Sequence, residues 1–318
     1  MTPQTDALPT SFTDTAHATP AARISEARRL FWSIRRELWE NRAIYIAPLA
    51  VAAFILLGFF YSTVRMPAVM LITDTVNGVV THTSHGIDPI LPYTIAAGLL
   101  MATTFLVAIF YSLDALYGER RDRSILFWKS LPISDLTVVL SKAAIPLVIL
   151  PLLTWAVTVA TQSIMLLINV TVFHARGIDT GPLHSGLPLT QNSMMLLYHL
   201  VAVHALWYAP IWCWFLLVSA WARRTPLLWA TLPPIVLGVL EMITLHSGHV
   251  FEFLKYRIHG PGDIDFTASH AGATMPMGAT MSISPTQFLT TPGLWAGLAL
   301  AAVFLAAAIQ LRRYRNPL

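Results

Sequence analysis

Charge is what this chain has least of. Only 11% of its 318 residues are Asp, Glu, Lys or Arg, while 55% are hydrophobic. A soluble domain carries roughly a quarter charged residues, so a water-facing globule is excluded. Cysteine is nearly absent: the single Cys213 lies inside an apolar run and excludes an intrachain disulfide. Gly never precedes Lys, so no GxxxxGK[ST] phosphate loop exists and the chain does not bind ATP in that way by itself. An HExxH zinc site, a GxSxG elbow and a GxGxxG turn after a strand are also missing. The net charge of +4 does not imply nucleic acid, because the placement of the charges matters more than their sum.

Long apolar stretches are what is present. They recur from Ala43 to Leu311, with a mean hydropathy of +0.62, and imply a polytopic, all-α membrane protein. Six spans are expected near 43–64, 91–117, 136–172, 193–220, 227–247 and 291–311, within a transmembrane domain covering 43–311. A span needs about 20 apolar residues, so the second and third are over-long. Pro146 and Pro151 predict a kink in the third, because each removes a backbone donor. Residues 1–22 are rich in Thr, Ala and Pro and lack the basic-then-apolar order of a signal peptide; a disordered cytosolic tail is expected there. Over 23–41, Ile24, Ala27, Phe31, Ile34 and Leu38 share one helical face, widened by Trp32 and Trp39. Arg28 and Arg35 at its edge suit an amphipathic interfacial helix lying on the bilayer; the alternative is a solvated helix packed on the protein itself.

The placement of Lys and Arg sets orientation. Sixteen of the 20 fall on one side: Arg23 to Arg42, the cluster from Arg120 to Lys142, Arg223, Arg224, and the group ending at Arg315. Only Arg65, Arg176, Lys255 and Arg257 fall on the other. Both termini, including the tail 312–318, are therefore expected in the cytosol. The opposite segments, near 65–90, 173–192 and 248–290, read as loops and short helices capping the bundle.

The strongest local signal is the run ERRDRSILFWKSLPISDLTVVLSK, Glu119 to Lys142. Residues 119–131 suit a short helix that Pro132 stops, with Ser134 capping the next span and Asp135 in its first turn. Phe127, Trp128 and Leu131 form an apolar knob rimmed by Arg120, Arg121, Arg123 and Lys129. The knob and rim suit docking of a cytosolic partner, and equally an aromatic belt with positive-inside arginines.

The same run resembles the signature of type-2 ABC transporter permeases. That family places a Glu after the second span, then a small residue, a hydrophobic stretch, a Leu-Pro-(Val/Ile)-Ser turn and an early Lys in the third span. Glu119, Ser124, Leu131, Pro132, Ile133, Ser134 and Lys142 stand at those positions. The family often has Gly before the small residue, where this chain has Arg123. The resemblance implies a six-span permease subunit of an ABC exporter in the cell inner membrane, working in the lipid bilayer as a homodimer or heterodimer. It implies a coupling helix over 119–131 and a separate ABC ATPase subunit that binds ATP and Mg; no cofactor is held by this chain itself. The implied ATPase contacts are Glu119, Arg120, Arg123, Phe127, Trp128, Lys129, Pro132 and Ser134. No covalent chemistry and no nucleic acid partner is expected.

Other polar residues supply the rival readings. Glu241, in the outer part of the fifth span, is a candidate for a translocation path, and as a proton site would make the chain a secondary transporter. An intramembrane enzyme would need more convergent polar groups inside the spans than are present. Asp114, near the end of the second span, is expected to pair with Arg120 or Arg121. His199 and His204, five apart, are expected to face different sides of the fourth span. The histidines and methionines of the outer side are read as solvated loop residues with no metal.

Overall fold

A computed structural model describes residues 25–65, 73–76, 79–82, 90–125, 133–177, 189–259 and 285–314. The described helices are α1 (Glu26–Glu40), α2 (Ala43–Arg65), α3 (Leu91–Asp114), α4 (Tyr117–Arg121), α5 (Asp135–Ala144), α6 (Leu150–Ala175) and α7 (Leu189–His199). They continue as α8 (Ala209–Trp221), α9 (Pro226–Leu245), α10 (His249–His259), α11 (Pro285–Thr290) and α12 (Pro292–Tyr314). Two π-helical segments, Ile145–Ile149 and Leu200–Trp207, join α5 to α6 and α7 towards α8. Among the described residues five helices are long and apolar enough to cross a membrane, and six if the pair Leu189–Trp207 and Ala209–Trp221, bent by 47°, is one span. This is the helix content of a multi-pass membrane protein, and the six segments coincide with the expected ones. The strands Thr73–Val76 and Val79–His82 pair antiparallel, Thr73 opposite His82, where loops and short helices were expected.

The apolar stretches bury only part of their surface against one another. The main core joins Ile44 of α2, Ala108 and Tyr111 of α3, Ala143 of α5, and Trp212 and Leu216 of α8. Ile34 and Leu38 of α1 pack against it, so this face of α1 meets the bundle. Phe31, Trp32 and Trp39 point away and are exposed, with the Arg35 guanidinium 5.1 and 5.2 Å from the two indole rings. Ser25 caps α1 by accepting from the N–H of Arg28. The outward faces of α2 (Phe54, Leu57, Phe60) and α9 (Leu237, Leu240, Ile243) are exposed, and only 11% of the most apolar stretch of α9 is buried.

Proline chemistry shapes the third span. Pro146 removes one backbone donor, and the chain accommodates it in the π turn Ile145–Ile149 and runs on as one helical stretch from Asp135 to Ala175, 41 residues long. That length exceeds a bilayer crossing, as expected. Its start also matches: Ser134 accepts from the N–H of Thr137 at 3.2 Å, and Asp135 occupies the first turn.

The expected helix over 119–131 is not continuous. Helix α4 stops at Arg121 because Arg123 takes a left-handed conformation, φ +56°, that L-residues adopt at a cost. Helical geometry resumes at Ser124 and Ile125. Phe127, Trp128, Lys129, Leu131 and Pro132 lie outside the described residues.

Candidate functional site

Buried charge concentrates at the end of the bundle that holds most of the arginines. Helix α1 brings Glu37, whose side chain is fully buried, and α5 brings Lys142 to meet it, Nζ to Oε1, at 2.9 Å. The same Nζ lies 3.1 Å from Oε1 of Glu119 in α4. From the last turn of α12, Arg312 donates through Nη1 to Glu119 and through Nε to Asp135 of α5 at 3.1 Å. Arg36 reaches Glu37 at 3.0 Å and Glu119 at 3.6 Å. The Tyr111 hydroxyl of α3 donates to Glu37 at 3.0 Å. Glu40, half exposed, also lies 3.4 Å from Arg36, so the three more deeply set carboxylates, Glu37, Glu119 and Asp135, are matched by Arg36, Lys142 and Arg312. An isolated buried charge is strongly disfavoured, whereas a paired and hydrogen-bonded set is tolerated.

The junction after α3 is clamped separately. The Ser219 hydroxyl accepts from the N–H groups of Leu116 (2.9 Å) and Tyr117 (2.8 Å). Arg120 donates to the carbonyls of Ala220, at 2.6 Å, and Ala222. These carbonyls end α8, where a cation also meets the negative end of the helix dipole. Helix α4 is thus bolted to α8 by Arg120, and to α1, α5 and α12 by Glu119.

The residues expected to contact a partner therefore divide. Glu119 and Arg120 are buried, 9% and 3% exposed, with their charged groups turned into the bundle. Arg121 is exposed and pairs with Asp122 at 3.0 Å and Asp114 at 3.7 Å, one of the two pairings expected for Asp114. Arg123 is exposed beside them. Ser134 serves as a cap. Sequence reasoning placed Lys142 in the pattern but gave no role to Glu37, Arg36, Tyr111 or Arg312. The available signal was Glu37 itself, a carboxylate inside the Ile34–Leu38 face that the core covers.

Glu241 closes the far end of α9. One carboxylate oxygen accepts from the Ser247 hydroxyl (2.8 Å) and the His249 N–H (2.9 Å), and the other from the Val250 N–H (2.8 Å). It caps α10, satisfying N–H groups that its first turn leaves open. Three glycines then admit α10 side chains: a Cβ at Gly238 would stand 2.7 Å from Phe251, one at Gly293 2.4 Å from Tyr256, and one at Gly297 2.3 Å from Arg257.

The histidine expectation is corrected. His199 and His204 do not face different sides; their rings meet edge to face with centroids 5.4 Å apart. The reason is the π-helical segment Leu200–Trp207. Its wider turn brings residues five apart onto nearly one face, which α-helical spacing would not do. His204 lines a cavity of about 10 Å³ with Thr104, Phe105, Pro146, Thr154 and Trp212. Its Nδ1 is buried without a hydrogen-bond partner. Among the described residues no group of three or more His, Cys, Asp or Glu could hold a metal.

Comparison of this chain with protein-family models, with curated proteins and with solved structures returned no match.

Proposed function

We propose that this chain is the membrane permease subunit of an ABC exporter, in which a separate ATPase subunit drives the bundle from the cytosolic side. The observation that carries the reading is the charge cluster around Glu119. It joins α1, α4, α5 and α12 at the point where the run Glu119 to Lys142 resembles the permease signature. A push delivered to the segment after α4 would reach three other helices through this one carboxylate. Packed elements that share buried ion pairs move together as rigid bodies, which is what mechanical coupling requires.

Within this reading Glu119 and Arg120 position the coupling segment, and Arg121, Arg123, Phe127, Trp128 and Lys129 meet the ATPase. Helix α1 lies at the cytosolic membrane surface, its exposed Phe31, Trp32 and Trp39 in the interface and Arg35 stacked between two indoles. Both termini are cytosolic, in the inner membrane. The exposed apolar faces of α2 and α9 meet lipid and a second permease copy.

The secondary-transporter reading needs Glu241 as a proton site in the path. Its carboxylate is engaged as the cap of α10, which favours a structural role. A photo-crosslinking amino acid at position 128, in the full chain in native membranes, tests the main reading. The expected adduct is a P-loop ATPase identified by its peptides. Crosslinks to lipid alone would overturn the assignment.

A further inference from the structure

At the end of the bundle away from the charge cluster, Arg257 is buried and meets no carboxylate among the described residues. Arg257, near the end of α10, is 3% exposed. Nη1 donates to the Trp207 carbonyl at a long 3.4 Å and Nη2 to the Gly293 carbonyl at 2.6 Å, while Nε is buried with no partner. The guanidinium lies 4.7 Å from the Trp207 ring and 5.7 Å from the Phe253 ring. Trp207 in turn donates from its indole N–H to the Arg257 carbonyl at 3.0 Å, so α10 and the second π segment hold each other. Carbonyls and ring faces stabilise a cation but leave its charge uncancelled.

The surroundings add positive potential. Gly293 lies in the first turn of α12, near the positive end of the helix dipole; Pro292 supplies no N–H there, and the Leu294 N–H bonds the Thr291 carbonyl at 3.1 Å. The guanidinium lies along the flank of the first two turns of α12, on the Gly293 carbonyl and against Gly297, and a buried arginine with an open Nε–H favours an oxyanion as its occupant. Helix α12 starts here, and its last turn carries Arg312 of the charge cluster and the exposed Arg313, so Arg257 stands at the opposite end of a membrane-length helix, at the level of lipid headgroups. Phe253, whose ring lies 5.7 Å from the guanidinium, is exposed, as are Ile258 beside it in sequence and Leu289 and Trp295 flanking the start of α12, an apolar surface suited to acyl chains.

We propose that Arg257, beside the first turn of α12, forms a binding site for a phosphate-type oxyanion, supplied by the headgroup of an anionic lipid at this surface. The inference does not depend on the ABC reading; it holds whether the lipid is cargo or a resident of the bilayer. The Nε–H and the long Nη1 contact are the donors that the phosphate would use.

The test is the thermal melting of the purified full chain in detergent, titrated with phosphatidylglycerol, with uncharged diacylglycerol, or with inorganic phosphate. Phosphatidylglycerol is expected to raise the melting temperature by several degrees where diacylglycerol does not. Arg257→Gln is expected to cut that response several-fold, and Arg257→Lys to keep part of it. Should Arg257→Gln fail to fold, Gly297→Ala, which displaces the guanidinium while keeping its charge, is expected to weaken the response. An equal response to inorganic phosphate supports the site and reassigns its source to the free anion. Equal responses to both lipids, or a full response in the folded variants that remove or displace the guanidinium, overturn the proposal. A wild type that ignores phosphatidylglycerol, while Asp263→Asn with Asp265→Asn destabilises as much as Arg257→Gln, shows an internal ion pair and overturns it too.

Discussion

Glu37 and Lys142 are 105 residues apart in the chain, and Nζ of Lys142 lies 2.9 Å from Oε1 of Glu37 inside the bundle. This bond ties α1 to the third span. The same ammonium holds Glu119, so one cation shares two buried carboxylates.

Lys142→Met tests how much that sharing matters. It leaves Glu37 and Glu119 buried with their neutrality broken, and the expected loss is about 3–5 kcal/mol. Pairing it with Glu37→Gln should recover part of the loss, since an uncharged amide no longer needs the ammonium. Thermal or denaturant melting in detergent reads both. Strictly additive losses would mean that the two side chains do not interact.

Glu119 and Trp128 should separate stability from partner contact. Glu119→Gln removes the charge that meets Lys142 and Arg312, and is expected to lower the melting temperature. Trp128→Ala is expected to leave melting unchanged and to reduce ATPase co-purification. A destabilised Trp128→Ala would place that ring in the folded bundle and not at a partner surface.

Gly297 faces the Arg257 guanidinium so closely that a methyl group has no room. Gly297→Ala should push Arg257 aside and loosen α10. A cysteine at Ile258 is expected to react faster with a membrane-impermeant maleimide in that background. An unchanged labelling rate would show that α10 tolerates the displacement.

His204→Leu probes the cavity between the π segments. Nδ1 of His204 is buried with no partner, and removing a desolvated polar atom of that kind is close to neutral. The expected change in unfolding free energy is within about 1 kcal/mol of zero. A loss above about 2 kcal/mol would show that the imidazole makes a bond worth keeping, to water or to a ligand.

Much of this molecule could be read without its coordinates. The six apolar stretches, the surplus of cations at one end, the Ser134 cap with Asp135 after it, and the Asp114–Arg121 pair follow from local pattern. Each depends on residues within a few turns of one another, or on composition averaged over a whole span.

Tertiary structure decided the rest, for two physical reasons. Burial of a charge depends on partners that arrive from distant parts of the chain. Glu119 is expected at a partner contact on the resemblance alone, and Lys142 and Arg312 draw its carboxylate inside. Helical period also depends on packing. His199 and His204 would diverge on an α-helix, and only the second π segment, set against the first one at Pro146, turns them to meet. Sequence by itself determined that the chain carries six apolar segments long enough to cross a membrane. The fold decided which charges meet opposite charges within the bundle and which, like Arg257, meet only carbonyls and ring faces among the described residues.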